Sequence, residues 1–377
     1  MKVACKDFAK GKKGVYNPNS YGYLDAGISF MAFMVFFVIV WLVFRLAVNN
    51  SGAFKDYIKS DYYFNIFFST LISQGAIILF AFVYSRIRKV SLFSGGGYAF
   101  KWNFLDITMA CVLAFGLFFV LQVVHMYIAE NFAHIFGETA INESDIQGNE
   151  FWAYLYVFIC TPLLPAFCEE AFMRGIVARS MEKFGIVFAI IVSGFAFGIF
   201  HGNPQQLFLQ SISGMAMALV YFATKNFVVP MAMHAFHNLF SALNEASLLT
   251  LNETSSFRYY WADTLIIFVG IICCIIGLIY FIKKLLKKKK DNQNISLKPK
   301  VYLLNTTTNV ITEEYAYKVE EYTTKLDNGE LFLNGNNFIS KNKLGNKVVG
   351  FVLICASLVL GCIDVFIGLE SLILLMF

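Results

Sequence analysis

The sequence predicts an all-α polytopic membrane protein of about eight to nine transmembrane helices, with a small cytoplasmic β or α/β insert near the C-terminus. Three observations carry this. Of 377 residues, 58% are hydrophobic and 15% charged, more apolar surface than a soluble chain of this length could cover. Six runs (27–48, 64–85, 104–128, 183–200, 263–282 and 348–375) have roughly the 18–25 residues a spanning helix needs. Lys and Arg fall on alternate loops, nineteen against three, the bias that orients membrane helices.

Residues 1–26 form a cytoplasmic tail with five Lys and none of the apolar run of a cleaved signal peptide. Residues 27–150 hold the first spanning helices. Their 86–103 loop is basic, whereas 129–150 carries five acids and no base, as an external loop can. Residues 151–245 add shorter or more polar segments, 151–167, 204–224 and 226–244, around the 183–200 run. A further helix, 246–284, runs into the lysines of "KKLLKKKK" (283–290), a stop-transfer flank that could also rest on anionic headgroups. The polar insert, 285–346, is rich in Thr, Tyr and Val over 300–340 and carries an Asp327-Asn328-Gly329 turn signal, which suggests a small β meander. A last helix occupies 347–377.

Of the eight Cys, only Cys5 lies clearly outside a helix or its flank, so no disulfide framework is implied. The Lys-, Asn- and Phe-rich composition looks bacterial, which places the chain in the plasma membrane, multi-pass, with its N-terminus in the cytoplasm. The expected partner is the lipid bilayer, with no nucleic acid.

Ionisable groups inside spanning segments are costly and point to function. Between 150 and 245 they are Glu169, Glu170, Arg174, His201, His234 and His237, accompanied by Asn203 and Asn238. Pro162 and Pro165 can break one helix and start the next. Glu169 and Glu170 then project about 100° apart and cannot share one task. Glu170 and Arg174 are i,i+4 with the acid first, the favourable order for an ion pair, which leaves Glu169 free. His234 and Asn238 are also i,i+4, and His237 faces away from their stripe as a structural residue.

These residue types suit the addition of water to a carbonyl. A carboxylate can serve as general base, an imidazole can help polarise water, and a second imidazole with an amide can donate to an oxyanion. Glu with two His is also a zinc set, so a divalent metal such as zinc is possible, although no cofactor is firmly implied.

"EEAFMR" (169–174), "FGIFH" (197–201) and "HAFHN" (234–238) resemble, in order and spacing, the EExxxR, FxxxH and HxxxN motifs of the CPBP group. These are the CAAX prenyl endopeptidases and bacteriocin-processing enzymes, or Abi family, of intramembrane proteases. The resemblance covers about 150–245. Met173 stands where the family commonly has an aromatic residue. The resemblance implies that Glu169 activates water and that His201 helps position it. It further implies that His234 and Asn238 stabilise the oxyanion, and that Glu170 with Arg174 shapes the site. The implied activity is hydrolysis of a membrane-bound peptide or protein, by either a metal-dependent or a metal-free route.

This reading requires Glu169 and His201 at one depth, and the Pro break is expected to set Glu169 deeper than hydropathy suggests, in a site open towards the cytoplasm. The motifs of other intramembrane proteases are missing: there is no H-E-x-x-H and no G-x-G-D, and "SISG" (211–214) lacks the leading Gly of a rhomboid serine motif. The rival class is a non-enzymatic membrane protein, either a transporter with a buried relay or an inactive relative acting in immunity.

Overall fold

The computed structural model describes residues 21–88, 90–93, 98–136, 149–250 and 256–294, four short strands between 303 and 333, and 343–367. Among these residues the chain forms α1 (Asp25–Asn49), α2 (Gly52–Ser60), α3 (Tyr62–Arg88), α4 (Phe104–Phe136) and α5 (Glu150–Leu155). It continues through α6 (Leu163–Phe172), α7 (Ile186–Phe200), α8 (Pro204–Thr224), α9 (Val228–Thr250), α10 (Ser256–Asn294) and α11 (Lys343–Ile367).

The path through α5 and α6 is irregular. A π-helical turn, Tyr156–Cys160, follows α5, and another, Met173–Ala178, follows α6 before the chain reaches Phe184. Between the first π turn and α6 the direction changes by 41°. Pro162 caps α6 and Pro165 lies in its first turn, where the missing N–H costs nothing. Gly185, at φ +120°, reverses the chain into α7 with a backbone that side-chain-bearing residues rarely adopt.

Helices approach one another over small residues. A Cβ on Gly194 would lie 2.3 Å from Met215, one on Gly198 would lie 2.1 Å from Ser211, and one on Gly116 would lie 2.5 Å from the Cys274 backbone. Such close contact supplies helix association in lipid, where no hydrophobic difference drives it. α11 lies beside α1 in the same direction, with Gly27 against Leu353 and Gly350 against Tyr23.

One end of the bundle gathers several of the basic residues in ion pairs and hydrogen bonds. There the Tyr84 hydroxyl and the Arg88 guanidinium donate to Asp25, at 2.7 and 2.8 Å. Arg179 donates to Ser91 O and lies 4.9 Å from the centroid of the Tyr98 ring. Lys225 donates to Tyr98, whose own hydroxyl donates to Glu182, and Lys284 pairs with Asp106. Gly185 belongs to this end. It is the end that the sequence assigns to the cytoplasm.

The expected count of eight to nine spans is not reached among the described residues. Five helices are long and apolar enough to cross a membrane, and a sixth is obtained if the bent α5–α6 pair counts as one span. Two differences have clear causes. Gly185 and Gly202, at φ +62°, confine α7 to 15 residues, and α9 carries His234, His237 and Asn238 through its middle. α10 runs unbroken to Asn294, beyond the expected start of the insert at 285. Within the insert, Leu303–Leu304 pairs with Ile311–Thr312 and Thr323–Lys325 with Leu331–Leu333, both antiparallel. These are two separate pairs that do not join in one sheet, so the expected insert is not shown, and the meander's other residues lie outside the described ones.

Candidate functional site

α6 and α7 form a hairpin about Gly185, and the chain spacing fixes the depth of the motifs. Glu169 lies sixteen residues before Gly185 and His201 sixteen residues after it, so antiparallel arms bring them level. Ring contacts agree: Phe172 and Phe200 have centroids 6.4 Å apart, and the Arg174 guanidinium lies 4.9 Å from the Phe197 centroid. Glu169 lies buried inside the bundle, past the bend that precedes α6. Gln74, near the midpoint of α3, meets Glu169, so this level is also halfway along a full-length span.

Glu169 and Glu170 are both buried and have different partners. Glu170 Oε1 lies 2.9 Å from an Arg174 guanidinium nitrogen and 2.9 Å from His234 Nδ1. The Arg174 contact is an ion pair whose angle does not meet that of a hydrogen bond. Another nitrogen of Arg174 donates to Gly214 O at 3.0 Å. Gly214 packs so closely on Phe197 that a Cβ there would lie 2.8 Å from the Phe197 Cβ. Glu169 Oε1 accepts a 2.8 Å hydrogen bond from the Gln74 amide. Its Oε2 has no hydrogen-bond partner among the described residues and lies 3.9 Å from His234 Nε2. The two adjacent acids therefore do separate things, as their 100° offset requires.

Phe197 is the apolar centre of the group. It is fully buried, with the His201 ring 4.7 Å and the His234 ring 5.7 Å away, both edge-on. His201 Nδ1 lies 2.8 Å from Phe197 O. A carbonyl only accepts, so Nδ1 carries the proton and Nε2 presents a lone pair in the neutral ring. The same logic applies to His234, whose Nδ1 faces the Glu170 carboxylate. Asn238 donates to Thr161 O at 3.1 Å, which ties α9 to the break before α6. His237 turns away to the Phe118 ring, 5.7 Å off on α4.

The structure thus brings together Glu169, Glu170, Arg174, His234 and, through Phe197, His201. Asn238 lies one turn beyond His234, on the helix break. Sequence reasoning missed Gln74 and Gly214. Gln74 carried a usable signal, a carboxamide midway along a spanning run. Gly214 carried none, because its part is played by a backbone carbonyl.

Residues 173–181 run from the site towards the basic end of the bundle. On that side of Glu169, Met173, Arg174, Ile176, Val177, Ala178 and Met181 are all buried. They pack as a plug of helices over the hairpin. On the other side Leu163 and Phe167 are exposed, as is Gly202, and His201 and Asn238 are partly so.

Among the described residues no three His, Cys, Asp or Glu side chains come together in a set able to hold a metal ion. Glu170 and Phe197 O occupy one nitrogen of each histidine.

Residues 150–240 match the family model described as type II CAAX prenyl endopeptidase Rce1-like. The match spans about a quarter of the chain, contains all three motifs and supports the CAAX-protease resemblance. No curated protein and no solved structure matches the chain.

Proposed function

We propose that the chain is an intramembrane endopeptidase in which Glu169 activates water against a peptide bond of a membrane-bound peptide or protein. One observation carries the reading: Glu169 Oε2 is buried, has no hydrogen-bond partner among the described residues, and faces His234 Nε2 at 3.9 Å. The family match over 150–240 supports the reaction class.

The steps follow from the groups present. Glu169 Oε2 takes a proton from water, and the oxygen attacks the carbonyl carbon. His201, protonated at Nδ1, offers Nε2 to the water's second proton and so orients it. The carbonyl oxygen becomes an oxyanion, which needs donors. His234 supplies one through Nε2 when both its ring nitrogens carry protons. Asn238 supplies another through an amide proton, since its amide has two and Thr161 O takes one. Glu169 then passes its proton to the leaving nitrogen as the C–N bond breaks. The products are a new carboxyl group and a new amine.

Glu170 and Arg174 act through His234. The carboxylate fixes the ring's orientation, and Arg174, anchored to Gly214 O, fixes the carboxylate. Signalling peptides and bacteriocins held at the membrane are the substrate class this chemistry suits.

The test compares new protein termini in the membrane fraction of cells expressing wild type or Glu169→Gln at matched levels. Termini present with wild type and lost with Glu169→Gln establish the protease and identify its substrate. Identical termini from two folded proteins overturn the reading in favour of a non-enzymatic role.

A further inference from the structure

Beyond the three motifs, the geometry assigns a positioning residue for Glu169, namely Gln74 of α3, and the inference rests on the function proposed above. Gln74 is 95 residues from Glu169 in sequence. It is 7% exposed, on a helix that carries no charged residue through its centre. A carboxamide there is expensive unless it has a partner, and the partner is Glu169 Oε1, at 2.8 Å.

The consequence is an asymmetric carboxylate. Gln74 can only donate through its nitrogen, so Oε1 of Glu169 is held as an acceptor. Rotation about the last side-chain bond of Glu169 is then restrained. Oε2 is left as the oxygen free to take a proton, and it is the oxygen that faces His234. Without Gln74 the two oxygens would exchange places freely, and the base would be aimed correctly only part of the time. The Gln74 carbonyl oxygen is itself buried without a partner among the described residues. It lies on the same side chain that contacts Glu169, where a water or a substrate N–H can be received.

A substitution at Gln74 separates this role from simple packing. Gln74→Leu keeps the size and removes the donor. Gln74→Glu keeps a donor only while the new carboxyl is protonated. With the Glu169-dependent cleavage as the assay, Gln74→Leu should lower kcat by roughly 10- to 100-fold, the scale of a misaimed group, with KM nearly unchanged. Gln74→Glu should be active at acid pH and lose activity as pH rises and the new carboxyl ionises, a profile that Gln74→Leu does not share. A wild-type kcat in Gln74→Leu, or a Gln74→Glu profile that superimposes on wild type, overturns the inference.

A second readout does not require turnover. The infrared carboxyl and carboxylate bands of Glu169, identified by their loss in Glu169→Gln, should move in Gln74→Leu and stay fixed in Ser73→Ala, one residue away. If Gln74→Leu leaves them unmoved, the contact does not exist in the membrane and the inference fails. If they move but wild type yields no Glu169-dependent termini, Gln74 does position Glu169, and it is the protease reading that falls.

Discussion

His234 is hydrogen-bonded to Glu170 and only faces Glu169: Nδ1 is 2.9 Å from one carboxylate, and Nε2 is 3.9 Å from the other. A single ring therefore stands between an acid that orients it and an acid that shares the reacting space with it. Replacing Glu170 by Gln keeps the shape but removes the carboxylate that holds the ring through its Nδ1–H. Cleavage should fall by roughly 10- to 100-fold, as for loss of a partner that orients a histidine. Glu169→Gln should lose the entire base contribution, roughly 10²- to 10⁴-fold. Rates of the two variants on one identified substrate check the order.

Arg174 is fully enclosed and holds Glu170 in place. Removing one member of a buried ion pair leaves the other uncompensated, at a cost of about 3–5 kcal/mol. Arg174→Ala should therefore lower thermal stability in detergent far more than Lys225→Ala, whose pair with Glu182 is partly exposed. Arg174→Lys should recover only part of the loss, because one ammonium cannot keep the planar fork that spans Glu170 and Gly214 O.

Gly214 should tolerate no side chain. A methyl there meets the Phe197 Cβ at 2.8 Å and Gly194 O at 3.0 Å. Gly214→Ala should cost about 1–3 kcal/mol through overpacking, and it should also slow cleavage, because Phe197 carries the backbone oxygen that sets His201. A scan of Tm and rate together checks this. Gly52→Ala, which meets nothing within 4 Å, is the control.

Tyr98, in the connection between α3 and α4, should set an alkaline limit. Burial, followed by the charge of Glu182, pushes its phenol well above the usual 10. A group raised in the fold contributes stability below its unfolded value and loses it as pH climbs past that value. Unfolding in detergent should therefore ease as pH rises above about 10. Tyr98→Phe should be less stable at neutral pH, having lost its bonds to Glu182 and Lys225, and should show a flatter alkaline response.

Membrane class, helix-rich architecture and the three motifs were legible because each rests on local chemistry. Apolar runs state their own length, and Glu170 and Arg174 are one helical turn apart. The depth of Glu169 was less legible, because hydropathy does not register that the Met173–Ala178 π turn carries the helix on to Gly185. Burial of Met173–Met181 was not legible either, because it is a property of packing between helices. Gln74 could not be joined to Glu169 from sequence, since nothing local relates residues 95 apart. The span count fell short where glycines at positive φ shorten a helix that hydropathy would continue.

The level of Gln74 on α3 has one more implication. It lies about 20 Å from either end of a helix rising 1.5 Å per residue. A reacting group fixed at that height measures its substrate as a ruler does. Under the proposed function the bond cut would be chosen by how far it sits below the membrane surface, and only a segment able to leave its helical hydrogen bonds at that depth would present a carbonyl there.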